Sequence, residues 1–584
     1  MKRISFLLIA VMVAALAGWY YWSFSQKISS APVAGFLPRE TIFVANLPDF
    51  NRAWNEWQHC DIYQLYREQA VQDFLRKPLG NISKRDVASQ TLREIEQLAP
   101  KNAFIALTSI DDNNPKLVGG FRFRGSKEEA EAVIGKWRST LIRQNPSAKS
   151  ETVQYQRHEI QVAKTTPFSV ATAYDPPWFF AATDVSELEG LLDRANRRES
   201  SENERLDKDE AYRAAISHRP SSYVAHFYLQ PKAFSKRLAE LRAAVGSTPA
   251  SNERTLLEKM RSIAGSVRFE NGKIHDVIFF GMPKLDQDAI FTRSSQSLGT
   301  KETLLYLAMI LNLGDKMDTL NQVAAFAGTK AFQALIGSGI TGADWKAAFG
   351  VELGVLADWP SNINWPSVFV TLPVTEPAKA GKILDTLLRG NEGENWVQTE
   401  KEGVRYFSKQ SVASFVAITP TIALSNTIVV AGLNPLSVEE AIKRSASSSS
   451  EFANSQDYKA AATMLPAPTN FFAYIDTAPL YSRLDASLRP MLLMAAAFLP
   501  AVASSIDSGK IPAPEVIAKH LSPIVSAQRY DTDGYIAESI GPITLDQLGL
   551  GIAILSGFGA SARQTGWNPA TTATPAASAP SPTP

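Results

Sequence analysis

The stretch "SVRFENGKIHDVIFFG" (266–281) contains two apolar runs separated by Asn271-Gly272. Both of these residues tolerate a positive φ, which a two-residue hairpin turn requires, so the stretch predicts a β-hairpin. A second stretch near the end of the chain, "AQRYDTDGYIAESIG" (527–541), has the same order, with Asp533-Gly534 at the expected turn. The sequence therefore predicts the same antiparallel element twice.

Other elements also occur twice in the same order. "FFAATDVSELEGLLDRA" (179–195) aligns without a gap with "VVAGLNPLSVEEAIKRS" (429–445). Each reads as an apolar strand followed by a helix whose N-cap is Asp184 or Asn434, because these side chains accept hydrogen bonds from free amides of the first turn. In the first stretch, Glu187 is placed to complete a capping box.

Two further pairs extend the parallel. "FRFRGSKEEAEAVIGKWRSTL" (121–141) matches "VFVTLPVTEPAKAGKILDTLL" (368–388), and "SSYVAHFYLQPKAFSKRL" (221–238) matches "TNFFAYIDTAPLYSRL" (469–484). Internal repeats of this kind indicate a duplicated unit. We place copy one at residues 36–290 and copy two at residues 291–562.

The first copy contains more strands than helices. Short turns between neighbouring strands favour antiparallel pairing, with helices on one face. We expect an α+β fold: an N-terminal transmembrane helix followed by a tandemly duplicated ectodomain with largely antiparallel sheets covered by helices. The predicted strands of copy one are 41–47, 102–108, 117–124, 151–156, 159–164, 168–174, 178–182, 222–229, 265–270 and 273–281.

The N-terminal residues predict export. Lys2 and Arg3 precede an uncharged segment, residues 4–24, which has the length of a membrane-spanning helix. The basic residues keep that end in the cytoplasm, so we expect a three-residue stub (1–3), a signal anchor (4–24) and a linker (25–35). The protein would then sit in the bacterial inner membrane with the bulk of the chain in the periplasm. A cleaved signal peptide, giving a secreted form, is the alternative.

The composition excludes some classes of function. Lys and Arg number 59 and Asp and Glu 58, a balance that argues against nucleic-acid binding. The single cysteine, Cys60, allows no intrachain disulfide. Residues 563–584 are uncharged and rich in Pro, Ala, Thr and Ser, so we expect a disordered tail.

No catalytic, cofactor-binding or metal site can be recognised. The chain has no HExxH, nucleophile elbow or phosphate-binding loop. We interpret the six histidines as structural or surface residues; they are His59, His158, His218, His226, His275 and His520. Cys60 has no local base to activate its thiol. We therefore predict no cofactor and lean towards a non-enzymatic role.

Two features are candidates for an interaction surface. Trp54 and Trp57 lie on one face of the first helix, where core packing is the favoured interpretation and an exposed aromatic groove the alternative. The stretch "PMLLMAAAFLPAVASSI" (490–506) has no charge and contains Met491, Leu492 and Phe498. A buried helix is the favoured interpretation here, and a surface that touches lipid or protein is the alternative.

The start of the predicted ectodomain, "FLPRETIFVANLPDF" (36–50), carries Leu37, Pro38, Thr41 and a Leu47-Pro48-Asp49 turn. After an apolar N-terminal segment, and with repeated strand–helix units, this pattern resembles the DUF3352 family of bacterial exported proteins. The family has no assigned function, so the resemblance implies no catalytic residues.

Together these patterns predict a membrane-anchored, periplasm-facing binding or scaffolding protein of the cell envelope. Its expected partners are the membrane, through the N-terminal helix, and an envelope protein, glycan or lipid. The alternatives are a lipid or hydrophobe carrier and an envelope enzyme whose site is not visible in the sequence.

Overall fold

An antiparallel β-sheet of 20 strands extends through the described part of the chain. In this computed structural model, the described residues are 31–78, 85–111, 114–144, 148–164, 169–196, 204–234, 259–285, 289–312, 314, 337–389, 396–409, 418–447 and 450–549.

The strands divide into two sets of ten. The first set is β1 Phe43–Asp49, β2 Lys101–Asp111, β3 Asn114–Arg122, β4 Lys149–Tyr155, β5 His158–Lys164, β6 Ser169–Asp175, β7 Trp178–Ala182, β8 Ala225–Leu229, β9 Ser262–Glu270 and β10 Lys273–Gly281. The second set is β11 Thr303–Ile310, β12 Glu352–Asp358, β13 Ser367–Pro373, β14 Trp396–Lys401, β15 Val404–Lys409, β16 Thr421–Leu424, β17 Ile428–Gly432, β18 Phe471–Ile475, β19 Ile524–Asp531 and β20 Gly534–Gly541.

Helices connect and cover these strands. In the first half they are α1 Ala31–Ala34, α2 Phe50–Gln58, α3 Asp61–Arg67, α4 Gln69–Leu75, α5 Arg85–Leu98, α6 Lys127–Gln144, α7 Val185–Ala195 and α8 Glu210–Ser217. In the second half they are α9 Gly342–Ala348, α10 Pro377–Arg389, α11 Pro435–Ser445, α12 Glu451–Asn454, α13 Gln456–Ala462, α14 Thr477–Phe498, α15 Pro500–Ser505 and α16 Pro514–Ala518. Short 3-10 turns lie at Leu206–Lys208, Ser294–Leu298 and Ser508–Lys510.

Both halves pair their strands in the same order. In the first half the order across the sheet is β4, β5, β6, β7, β3, β2, β1, β8, β9, β10. In the second half it is β14, β15, β16, β17, β13, β12, β11, β18, β19, β20. Strands β10 and β20 then pair with each other, from Ile274 opposite Gly541 to Phe280 opposite Tyr535. The two halves thus form one continuous sheet.

Turn chemistry sets the first hairpin as the sequence predicts. Asn271 and Gly272 have φ of 50° and 80°, the left-handed values that the tight turn between β9 and β10 requires. The second hairpin differs. Asp531 pairs with Gly534, so its turn is Thr532-Asp533, and the predicted position of that turn is wrong by one residue.

The predicted helix starts are partly confirmed. Asp184 and Asn434 are the N-caps of α7 and α11. The predicted capping box at Glu187 is wrong, because this carboxylate accepts a hydrogen bond from Thr108 Oγ1 on β2, at 2.9 Å.

Helices cover both faces of each half of the sheet. Phe180 on β7 is buried with Leu188 of α7, while its neighbour Phe179 packs with Ile134 of α6. Adjacent strand residues point to opposite faces, so α6 and α7 lie on opposite sides. The same arrangement holds for Val430 and Val429 on β17, which pack in separate cores against α11 and α10. The expectation of helices on one face is therefore wrong.

The predicted fold class is also wrong. The sequence indicated a transmembrane helix and a tandemly duplicated ectodomain with largely antiparallel sheets covered by helices, but the described residues form a single antiparallel sheet of 20 strands. The physical reason lies in β10 and β20, which are buried on both faces for most of their length. Strands of this kind are stable inside a sheet rather than at its edge, and each serves as the neighbour of the other.

Among the described residues, no helix is both long and apolar enough to cross a membrane. The segment predicted to span the bilayer, residues 4–24, lies outside the described residues, as does the predicted tail 563–584.

Candidate functional site

A cavity of about 490 Å³ lies where the two halves of the sheet meet. Its lining comes from the end of β10, the start of β20, and β19, β18 and β11. Phe280 lines it, whereas Val277 and Phe279 on the same strand belong to the core that α7 and α8 cover. Because side chains alternate along a strand, the cavity is on the opposite face from that core.

The lining of the cavity is mainly apolar. Three methionines contribute, Met260, Met282 and Met309, together with aromatic and aliphatic side chains. Methionine is flexible and polarizable, so it adapts to ligands of irregular shape. The volume and composition fall within the range of pockets that bury small molecules.

Five side chains with polar groups interrupt the apolar lining among the described residues: Asn470, Ser526, Gln528, Tyr535 and Asp546. Ser526 donates its hydroxyl proton to the Glu538 carbonyl oxygen at 3.2 Å, and Asn470 Oδ1 accepts from Thr469 at 2.6 Å. Asp546 Oδ2 is buried and has no hydrogen-bond partner among the residues that the structure describes. Burial raises the pKa of Asp546.

A second carboxyl group lies behind Asp546. Asp276 on β10 is buried and accepts hydrogen bonds from Thr544 Oγ1 and, at 3.4 Å, from Gln547 Nε2. Burial raises the pKa of Asp276 to about 6, and the charge of Asp546 contributes to the increase. Asp546 in the lining and the buried Asp276 near it make this part of the cavity unfavourable for another negative charge.

The sheet junction beside the cavity contains a buried ionic cluster. Glu538 accepts hydrogen bonds from Arg529 and, at 3.2 Å, from His275 Nε2. Arg268 donates to His275 Nδ1 at 2.8 Å, which links β9 to the cluster. These bonds connect both halves across the β10–β20 pairing and fix the register there.

The predicted aromatic pair Trp54 and Trp57 is half-buried in α2. Both rings contact Tyr63, with centroids 6.1 Å and 6.2 Å away, and Trp57 also contacts Phe269 on β9 at 5.8 Å. The two tryptophans therefore pack against the body of the protein.

The other predicted surface is exposed. Helix α14 has no buried residue. Met491 is 51% exposed and Phe498 80% exposed, while Leu492 is half-buried. The favoured interpretation, a buried helix at 490–506, is therefore wrong. From Pro490 to Ile506 this segment presents apolar and small side chains without a charge.

The structure brings the two predicted surfaces to the same end of the sheet. Glu68, between α3 and α4, pairs with both Lys519 and His520 at 2.7 Å. Lys77 donates to the Ala503 carbonyl oxygen at 2.5 Å. These contacts hold the helices after β1 against the helices after β18, and the cavity opens at the other end of the strands.

The remaining candidates from the sequence lie inside the fold. His158, His226 and His275 are buried on strands, and burial lowers the pKa of His226 to about 3. Cys60 is buried with a free thiol, whose pKa burial raises to about 11. No group of three His, Cys, Asp or Glu residues in the described part of the chain could hold a metal ion.

Sequence reasoning missed the cavity residues. They come from positions between 260 and 546, and only the pairing of β10 with β20 brings them together. One signal was available: Met260, Met282 and Met309 lie at strand ends in both halves, and the whole chain has only nine methionines.

No protein-family model matches the chain, and no curated protein matches it. Two solved structures of TP0453, crystal forms I and IV, each give a TM-score of 0.24 at 7% identity. The form I alignment covers 43% of this chain and 79% of that chain, and the form IV alignment covers 42% and 79%. A TM-score of this size does not establish a shared fold.

Proposed function

We propose that this chain is a binding protein of the bacterial cell envelope that holds a hydrophobic or amphiphilic small molecule in the cavity between its two halves. The observation that carries the proposal is the apolar cavity of about 490 Å³ at the β10–β20 junction. Its volume lies within the 300–1,000 Å³ or so that is typical of small-molecule sites.

The lining favours binding over catalysis. An active site needs a nucleophile or a base close to a group that stabilises developing negative charge, and both must be free to contact the substrate. The described lining offers one carboxyl, Asp546, and two hydroxyls. The Ser526 hydroxyl already donates to a backbone carbonyl, and the Tyr535 hydroxyl accepts from the Leu285 amide. Apolar contact is the main interaction that these residues supply.

The envelope location rests on the sequence. The uncharged segment 4–24 after Lys2 and Arg3 favours export to the periplasm, whether the segment is kept or cleaved. The resemblance to the DUF3352 family of exported proteins points to the same compartment and stays a prediction.

A second part of the proposal concerns α14. Its uncharged last turns, residues 491–498, contain no buried residue and suit contact with membrane lipid, because a surface without charges loses little on leaving water. Because the cavity opens at the other end of the strands, such contact would attach the protein to a membrane rather than pass the ligand directly into the cavity.

The cavity can be tested with the fluorescent apolar probe N-phenyl-1-naphthylamine and the full chain in detergent-free phosphatidylcholine nanodiscs. We expect saturable fluorescence enhancement with the wild-type protein. Ala537 on β20 is half-buried and lines the cavity, so Ala537→Phe fills it and should reduce affinity at least tenfold or so.

The matched control is Ala431→Phe, at a half-buried alanine on β17 away from the cavity. This variant should bind the probe like wild type. Equal binding by all three proteins would place the probe elsewhere and contradict the proposal.

A further inference from the structure

The polar groups of the cavity point to the head group of its ligand, an inference that rests on the proposed function. Asp546 carries the one carboxyl group among the described residues that line the cavity, and none of those residues is Lys, Arg or His. The structure therefore places one carboxyl group in an otherwise uncharged lining, where the apolar side chains around it strengthen its attraction to a cation.

The surroundings of Asp546 determine which donor fits. Asp276 accepts hydrogen bonds from Thr544 and Gln547, which flank Asp546 in the chain, so a second, buried carboxyl group lies near this part of the lining. An anionic head group, such as a carboxylate or a phosphate, would be repelled there. A cationic head group gains both a hydrogen bond and an attraction to two carboxylates.

The rest of the cavity suits an aliphatic tail. Met260, Met282, Met309 and Phe471 line the space beyond Asp546 and Gln528. A ligand with an amine at one end would place its head at Asp546 and its chain among these apolar groups.

We propose that the cavity selects cationic amphiphiles, molecules with a protonated amine on an aliphatic chain, and that Asp546 is the residue that recognises the amine. Gln528, on the neighbouring β19, presents an amide to the same space and can accept a further N–H bond.

The test compares three amphiphiles of equal chain length below their aggregation limits: dodecylamine, dodecan-1-ol and sodium dodecanoate. Each displaces N-phenyl-1-naphthylamine from the full chain in nanodiscs, with protein-free nanodiscs as the background. For wild type we expect dodecylamine to bind about tenfold tighter than dodecanol, and dodecanoate to bind weakest.

Asp546→Asn keeps the shape of the side chain and removes its charge. In this variant the affinity for dodecylamine should fall to that for dodecanol, while the affinity for dodecanol stays within about twofold of wild type. Glu400→Gln, at an exposed position on the edge strand β14, is the charge-matched control and should keep the wild-type preference.

The outcomes separate the two proposals. Equal binding of all three amphiphiles, a preference for dodecanoate, or a preference for the amine that survives in Asp546→Asn would overturn the assignment of the head group and leave the binding function standing. No displacement by any of the three would overturn the binding function itself.

Discussion

Val277 on β10 lies directly opposite Glu538 on β20, and each is the fifth residue of its strand. The β10–β20 pairing is therefore self-complementary: a residue of one half faces the equivalent residue of the other. Isologous contacts of this kind are typical of two-fold symmetric dimers. Here the same relationship occurs within one chain, and the cavity lies beside it.

The first prediction concerns the ionic cluster at this junction. Burial alone would raise the pKa of Glu538, but hydrogen bonds from His275 and Arg529 and their charges lower it below its usual value. A carboxyl group whose pKa is lower in the folded protein than in the unfolded chain stabilises the folded state at pH values above its unfolded-state pKa. This stabilisation is lost as the pH falls through its folded-state pKa.

Glu538→Gln should therefore lower the free energy of unfolding by about 2 kcal/mol at pH 7, since it leaves the half-buried Arg529 guanidinium without its carboxylate. The difference from wild type should shrink as the pH falls through the lowered pKa of Glu538. Urea unfolding at pH 7 and at a series of acidic pH values measures this, with Glu400→Gln as an exposed control. A difference that does not depend on pH would argue against an ionic role.

Asp276 should have the opposite pH dependence. Burial raises its folded pKa to about 6 from 3.8, so its contribution to stability is present at low pH and is lost as the pH rises through about 6. Asp276→Asn mimics the protonated acid. We expect similar stability of variant and wild type at pH 4, and a variant more stable by up to about 3 kcal/mol at pH 7. Thermal unfolding of both proteins at pH 4 and pH 7 measures this difference. A variant that is less stable than wild type at pH 7 would show that the Asp276 carboxylate stabilises the folded protein at that pH.

Cys60 should be unreactive in the folded protein. Its side chain is 1% exposed, and burial, with the charges of Asp61 and Glu56, raises the pKa of the thiol to about 11. The thiolate is the reactive form. Labelling with a thiol-specific disulfide reagent at pH 8 should be slow in buffer and complete within minutes in guanidinium chloride. Rapid labelling of the native protein would mean that α2 and α3 open readily.

Contact of α14 with lipid can be observed at its methionines. With spin-labelled phosphatidylcholine in the nanodisc, the methyl signals of Met491 and Met494 should broaden strongly, and that of Met464, which is also exposed, should not. Phe498→Asp places a charge at the end of the helix and should reduce the broadening. Equal effects on all three methionines would instead indicate random collisions with the disc.

Local features of the fold could be predicted from the sequence, and long-range ones could not. Each of the ten strands predicted for the first half overlaps an observed strand, because alternation and turn residues such as Asn271-Gly272 act over a few residues. The pairing of β10 with β20 joins segments that are far apart in the chain, and no local pattern encodes it.

The same difference between local and long-range features applies to the candidate site. The sequence drew attention to Met491 and Phe498 because seventeen neighbouring residues carry no charge, but it predicted burial where the structure shows exposure. Apolar composition predicts contact with something apolar and does not say whether that partner is the protein's own core. Asp546 gave no sequence signal, since its environment exists only after the two halves have joined.

The central claim is that the junction cavity binds an apolar ligand, and the methionine methyl groups test it directly. With methyl-labelled methionine in the full chain, a titration with dodecan-1-ol should shift the signals of Met260, Met282 and Met309, which line the cavity. The signal of Met464 should stay in place. Saturable shifts confined to the three cavity methionines are the predicted result; unchanged cavity signals at saturating dodecanol would contradict the account.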